Sequence, residues 1–134
     1  MTEDELKKRT KRFALRVLKL VAALPKTIAG RTIGNQLARS GTSVPANYRA
    51  ACRARSRAEF ISRLGVVEEE ADESALWLEL IIEGELMKRD LVEPLWIEAD
   101  ELVAIMTSSR KSAGRSMVEA RRPKSEIKNQ KSKV

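Results

Sequence analysis

From Phe60 to Ile82 the chain repeats a core seam in steps of four, three and four: Phe60, Leu64, Val67, Ala71, Ser74 with Ala75, Leu78 and Ile82. That rhythm is the inward face of a helix in a bundle, here predicted over Arg57 to about Met87. Its start is marked by Ser56-Arg57-Ala58-Glu59, a capping box in which Ser56 accepts from the amide of Glu59 and Glu59 reaches back to the amide of Ser56. A second apolar set, Val66, Leu76, Trp77 and Leu80, points to the far side, and between Ala75 and Ile82 only Glu79 is polar. A helix apolar all round needs cover on both sides. One four-helix bundle covers one side, so these four residues are expected to form an oligomer interface, the alternative being that the chain's own tail folds over them.

Three more helices are predicted around this one. The first runs from about Asp4 to Leu24, with Leu6, Phe13, Val17, Leu20 and Leu24 on one face. Pro25 ends it, because proline disfavours a helical residue before it and offers no amide. The second begins near Lys26 or Thr27 and reaches about Arg55, with Ile33, Leu37, Gly41, Val44, Tyr48 and Ala51 inward. Gly30, Gly34 and Gly41 lie on or near that face and allow a partner helix to come close. The periodicity carries through Pro45, which predicts a kinked rather than a broken helix, with Thr42 and Ser43 placed to satisfy carbonyls near the kink. After the turn at Lys88-Arg89, Asp90 is expected to cap the fourth helix, with Glu93 at the capping-box position and Pro94 within the first turn. Leu95, Ala99, Leu102 and Met106 continue it, and it fades between Ser108 and Glu119. Residues 1–120 are thus read as one all-α, antiparallel up-down-up-down four-helix bundle, and 121–134 as a disordered basic tail.

Charge is segregated along the chain. Residues 1–58 hold 14 basic and 3 acidic side chains, residues 59–105 hold 3 and 14, and residues 106–134 hold 9 and 2. Antiparallel helices can neutralise each other within one bundle. Alternatively the basic and acidic flanks meet between subunits, or a basic face stays open for a polyanion. The candidates for such a face are Lys8, Arg12 and Lys19 on the first helix, with Arg16 nearer the core edge, and Arg39, Arg49 and Arg53 on the second. Arg121 and Arg122 open the tail. Beside the second helix's core stripe runs a polar row, Gln36, Ser40, Ser43 and Asn47. It is read either as interhelical hydrogen bonding that sets register or as a polar groove for a ligand.

Several chemistries are excluded by composition. With no histidine in the chain, imidazole acid–base catalysis and histidine metal sites are out. The single Cys52 forms no internal disulfide, which suits a reducing, cytoplasmic setting. No phosphate-binding glycine motif is present. The acidic run Glu68, Glu69, Glu70, Asp72 and Glu73 is the one constellation that suggests a metal, but only Glu68 lies near the seam. No apolar run is long enough to span a bilayer, and the opening MTEDELKKRT is not a secretory signal. No enzyme and no cofactor are expected, and no membrane partner. With few aromatics outside the core, any nucleic-acid binding is expected through phosphates.

The strings QLARSGTSVPANYRAA, SRAEF and EEADESALWLELIIE resemble the four-helix bundle proteins of the 23S rRNA intervening-sequence family, over about residues 10 to 108. One departure is Ala50, where members commonly carry an acidic residue. The resemblance implies a small helical bundle that assembles as a homopentamer. It extends distantly to the accessory variability determinant of diversity-generating retroelements, a basic pentameric bundle that partners a reverse transcriptase and RNA. RNA or DNA, and a reverse transcriptase or other protein, are the partners so implied. The sequence therefore reads as a non-enzymatic, oligomeric, RNA-associated bundle, the alternative being a structural or partner-binding scaffold without nucleic-acid affinity.

Overall fold

The computed structural model describes residues 1–120; the expected disordered tail, with Arg121 and Arg122, lies outside the described residues. Four helices follow one another: α1 (Glu3–Ala22), α2 (Ile28–Cys52), α3 (Arg57–Glu83) and α4 (Arg89–Ala120). Each packs antiparallel on the next, so α1 and α3 run one way and α2 and α4 the other. Their inward faces bury Phe13, Val17, Leu37, Val44, Leu64, Val67, Leu78, Ile81, Leu102 and Met106 completely. Burying side chains of this size contributes roughly 1.5–3 kcal/mol each. The α1–α4 seam is the sparsest of the four.

α1 starts earlier than its apolar pattern indicates, because Thr2 and Glu5 form a complete capping box. The Glu5 amide donates to the Thr2 hydroxyl at 3.1 Å, and the Thr2 amide donates to the Glu5 carboxylate at 2.9 Å. α2 is capped by Thr27, whose hydroxyl accepts from the amide of Gly30 at 3.1 Å. At Gly41 α1 packs tightly on α2: a Cβ there would lie 2.7 Å from a Val17 methyl. α2 stays helical through Pro45. Pro45 leaves the Gly41 carbonyl without its helical donor. The hydroxyls of Thr42 and Ser43 do not reach that carbonyl; they donate to the carbonyls of Ala38 and Arg39, each at 2.7 Å, one turn earlier. α2 ends at Cys52 rather than Arg55.

The α2–α3 corner keeps half of its expected box. Ser56 accepts from the amide of Glu59 at 3.1 Å, but the Glu59 carboxylate accepts from the amide of Arg55, one residue before the expected donor, also at 3.1 Å. α3 stops at Glu83 instead of Met87. There Glu85 adopts a left-handed φ of 53°. The amide of Leu86 bonds the carbonyl of Ile81 at 3.0 Å and the amide of Glu85 that of Ile82 at 3.1 Å, which is the Schellman closure of a helix. At this end Ile81, not Ile82, takes the fully buried place, because Ile81 continues the seven-residue step that runs from Phe60 through Val67 and Ser74.

α4 begins at Arg89, so Asp90 lies inside its first turn and is not the cap. Pro94 then falls beyond the first turn, in an exposed position where water can satisfy the carbonyl it leaves free. The helix does not fade after Ser108; it continues to Ala120, and Ala113 is still buried.

Candidate nucleic-acid interface

The helical repeat places Lys8, Arg12, Arg16 and Lys19 along the side of α1 that turns towards α4, and all four are exposed. Lys8, Arg9, Arg12 and Arg16 line a groove of about 470 Å³ closed on the far side by Glu98, with Met1 and Glu5 at its end. A second groove of about 390 Å³ continues it, between Arg16, Lys19, Leu20 and Ala23 on α1 and Met87, Leu91 and Leu95 on the other wall. The seam is thus basic at one end and apolar at the other.

Arg9, beside this row in the first groove, is the one cation there that the bundle consumes. Its guanidinium donates to both oxygens of Glu98, at 2.7 and 2.8 Å, and to Glu101 at 2.6 Å. The Glu98 hydrogen bonds hold Arg9 above the ordinary arginine range against the opposing effect of burial. Such a forked pair sets geometry as well as energy, and it ties α1 to α4. Arg39, a sequence candidate for the basic face, is likewise paired, with Glu70 at 3.4 Å and with Glu73. Arg49 on α2 and Arg53 at its C-cap stand exposed, and no ion pair is formed by either among the described residues. The sequence candidates therefore divide into a row on α1, a pair on α2 and a neutralised Arg39.

The polar row of α2 also divides. Ser40 is fully buried, and its hydroxyl meets that of Ser74 on α3 at 2.8 Å. Ser43 and Asn47 bond within α2, to the carbonyls of Arg39 at 2.7 Å and Ser43 at 2.9 Å. Gln36 is exposed. The acidic run is spent in three ways. Glu70 and Glu73 hold Arg39. Glu68 accepts from Thr107 at 2.7 Å and from Arg110 at 2.9 Å, bonds that hold its carboxyl below the usual carboxylate range. Glu69 and Asp72 stay exposed. Among the described residues no group of three or more potential ligands gathers for a metal ion.

The four residues read as one interface part company. Leu76 and Leu80 are exposed, at 47% and 40%. Trp77 packs against its own core, with its indole nitrogen buried and without a partner, and Val66 is half-buried. On the outer face of α1, Leu15 and Leu18 are exposed at 61% and 45%. The core periodicity does not flag this pair, because both lie opposite the inward stripe. Cys52 is half-buried beside Tyr48; burial pushes its thiol up, and burial pushes the Tyr48 phenol up as well. Among the described residues no helix is long and apolar enough to cross a membrane.

The chain is thus an all-α protein whose four helices form a single antiparallel bundle. The chain belongs to the 23S rRNA-intervening sequence protein family, whose model matches residues 2–108. Among solved structures it is similar to a protein of unknown function from the S23 ribosomal protein family of Bacteroides thetaiotaomicron. The two are 33% identical over 83% of this chain and 99% of that one, with a TM-score of 0.74. No curated protein matches the chain. Neither the family nor the solved relative is described by an enzymatic activity.

Proposed function

We propose that the protein is a non-enzymatic, self-assembling bundle that associates with RNA through phosphate contacts, in the cytoplasm. One observation carries this reading. Lys8, Arg12, Arg16 and Lys19 form an exposed row along α1 in which no cation is ion-paired among the described residues. This holds although residues 59–105 of the same bundle carry 14 of the chain's 19 acidic side chains. Arg49 and Arg53 add a second, smaller cluster. The row has no aromatic platform beside it, so it holds backbone and not bases. Repetition of the row in an assembly, a pentamer by family resemblance, multiplies modest contacts by avidity. Exposed Leu76 and Leu80 favour self-assembly independently of any RNA, and the rival reading is a scaffold that uses only those contacts.

The test is a salt titration of binding to a mixed-sequence RNA, with duplex DNA alongside. For a single strand, log affinity is expected to fall against log salt with a slope of roughly −0.7 per phosphate contact. Replacing Arg12, Arg16 and Lys19 together by Gln is expected to flatten that slope and to weaken all sequences alike. Absence of binding by the full chain at low salt overturns the RNA reading, and so does a triple variant that binds as the wild type does.

A further inference from the structure

The seam between α3 and α4 is acidic where the α1–α4 seam is basic. Its first groove, of about 580 Å³, is lined by Glu68, Glu69, Asp72 and Arg110, with Ile61 and Val103 among its apolar residues. A second, of about 280 Å³, is lined by Glu79, Glu83, Glu93 and Arg89 beside Ile82 and Trp96. Gly65, which lines the first groove, Asp72 and Glu79 stand seven residues apart, so both grooves open on one side of α3. Each groove sets three carboxylates against one arginine, and each arginine is already engaged: Arg110 with Glu68 at 2.9 Å and Arg89 with Glu93 at 3.3 Å. Glu69, Asp72, Glu79 and Glu83 form no ion pair among the described residues. Glu69 and Asp72 are exposed, and Glu79 accepts from the Trp96 indole at 3.2 Å. The seam therefore holds a guanidinium at either end and, between them, four carboxylates that no described cation neutralises.

Reach decides what can supply the cations. α4 forms one wall of this seam and ends at Ala120. Val103, which shares the first groove with Asp72, lies 17 residues before Ala120, about 26 Å at a helical rise of about 1.5 Å per residue. Residues 121–134 follow, a length that spans up to roughly 46–50 Å when extended. They carry Arg121, Arg122, Lys124, Lys128, Lys131 and Lys133 against the single acid Glu126. Laid back along α4, about eight extended residues cover the 26 Å, which brings Lys128 level with Glu69 and Asp72 and leaves Lys131 and Lys133 enough chain to pass them.

We propose that residues 121–134 dock onto the α3–α4 seam of their own chain, with Lys128 and Lys131 paired to Glu69 and Asp72. The two partners are joined by a short stretch of chain, so modest ion pairs act at high effective concentration. The contact withdraws the basic end of the chain from a polyanion and leaves the cations of α1 and α2 as the basic surface that RNA meets. Salt that screens the pairs releases it. It depends neither on the RNA contacts nor on self-assembly.

Carbodiimide cross-linking, which joins an amine directly to a carboxylate, tests the contact on the full chain. The sample is an equimolar mixture of unlabelled and nitrogen-15-labelled protein, and the linked peptides are identified by mass spectrometry. Lys128 or Lys131 is expected to join Glu69 or Asp72, with both peptides of one isotope, and the yield is expected to collapse in about 1 M salt, where charges are screened beyond roughly 3 Å. A charge exchange supplies the second arm, each variant checked for helicity by circular dichroism. Lys128→Glu with Lys131→Glu is expected to abolish these links and to shift the amide resonances of Gly65 to Asp72. Adding Glu69→Lys with Asp72→Lys to that chain is expected to restore the links with the polarity reversed. The proposal is overturned if the lysines join carboxylates all over the surface in equal yield, or if the exchanged chain gives no rescue. Linked peptides of mixed isotope overturn it too, since they assign the segment to a neighbour's seam. Loss of RNA binding with the links intact overturns only the RNA reading.

Discussion

The hydroxyls of Ser40 on α2 and Ser74 on α3 meet at 2.8 Å in the buried centre of the bundle. Ser74 donates its own proton to the carbonyl of Glu70 at 2.9 Å, so Ser40 is the donor between the two, and its other route, to the carbonyl of Leu37, is long at 3.4 Å. The chain of bonds runs from α2 into α3 in one direction. Ser74→Ala removes the acceptor that Ser40 depends on, whereas Ser40→Ala leaves Ser74 still bonded. Ser74→Ala is expected to cost about 1–2 kcal/mol in urea denaturation and Ser40→Ala less. An equal or reversed order would show that the pair is not polarised this way.

Gly41 permits the α1–α2 approach. Gly41→Ala puts a Cβ against the branched end of Val17, which has no flexible arm to withdraw. A loss of roughly 1–3 kcal/mol is expected, and Val17→Ala in the same chain should recover part of it, less the cost of its own lost packing. Additive losses in the double variant would rule out a direct clash.

Glu85 occupies the left-handed position that closes α3, a place glycine fills at lower cost. Gly84, its neighbour, has an ordinary φ of −81° and does not serve this purpose. Glu85→Gly is expected to raise stability by about 0.5–1 kcal/mol and the melting temperature by a few degrees. A lower melting temperature would mean that the Glu85 side chain contributes more than its backbone strain costs.

Glu68 makes stability depend on acid. Its folded pKa lies below the unfolded value because of Arg110 and Thr107. The contribution is therefore complete above the unfolded carboxylate range and is lost as pH falls through the folded pKa. Glu68→Gln is expected to be less stable than wild type near neutral pH and to converge with it in acid. Parallel stability curves across the range would refute the linkage.

Arg9 and Glu98 hold the sparse seam. A double-mutant cycle with Arg9→Ala and Glu98→Ala should give a coupling of about 1 kcal/mol, since both are partly shielded from solvent and the pair is forked. Faster amide exchange in α1 of either single variant would locate the loosening; a coupling near zero would make the contact incidental.

Helix number, order and inward faces were legible in the sequence, because burial demands apolar groups at a fixed angular repeat and that repeat is written residue by residue. Leu64, Val67, Ala71 and Leu78 needed no coordinates. Helix ends were less legible. Hydrogen bonds that depend on chain geometry set them, as the shift of the Glu59 bond to Arg55 and the closure at Glu85 show. The fate of a charge or an outward residue was decided by tertiary structure alone. Arg9 and Arg12 are the same residue type on one helix, yet only Arg9 reaches Glu98; Leu76 and Trp77 are adjacent, yet only Trp77 turns into its own core. Which helix stands opposite a side chain, and at what height, is a property of packing that one strand of sequence does not contain.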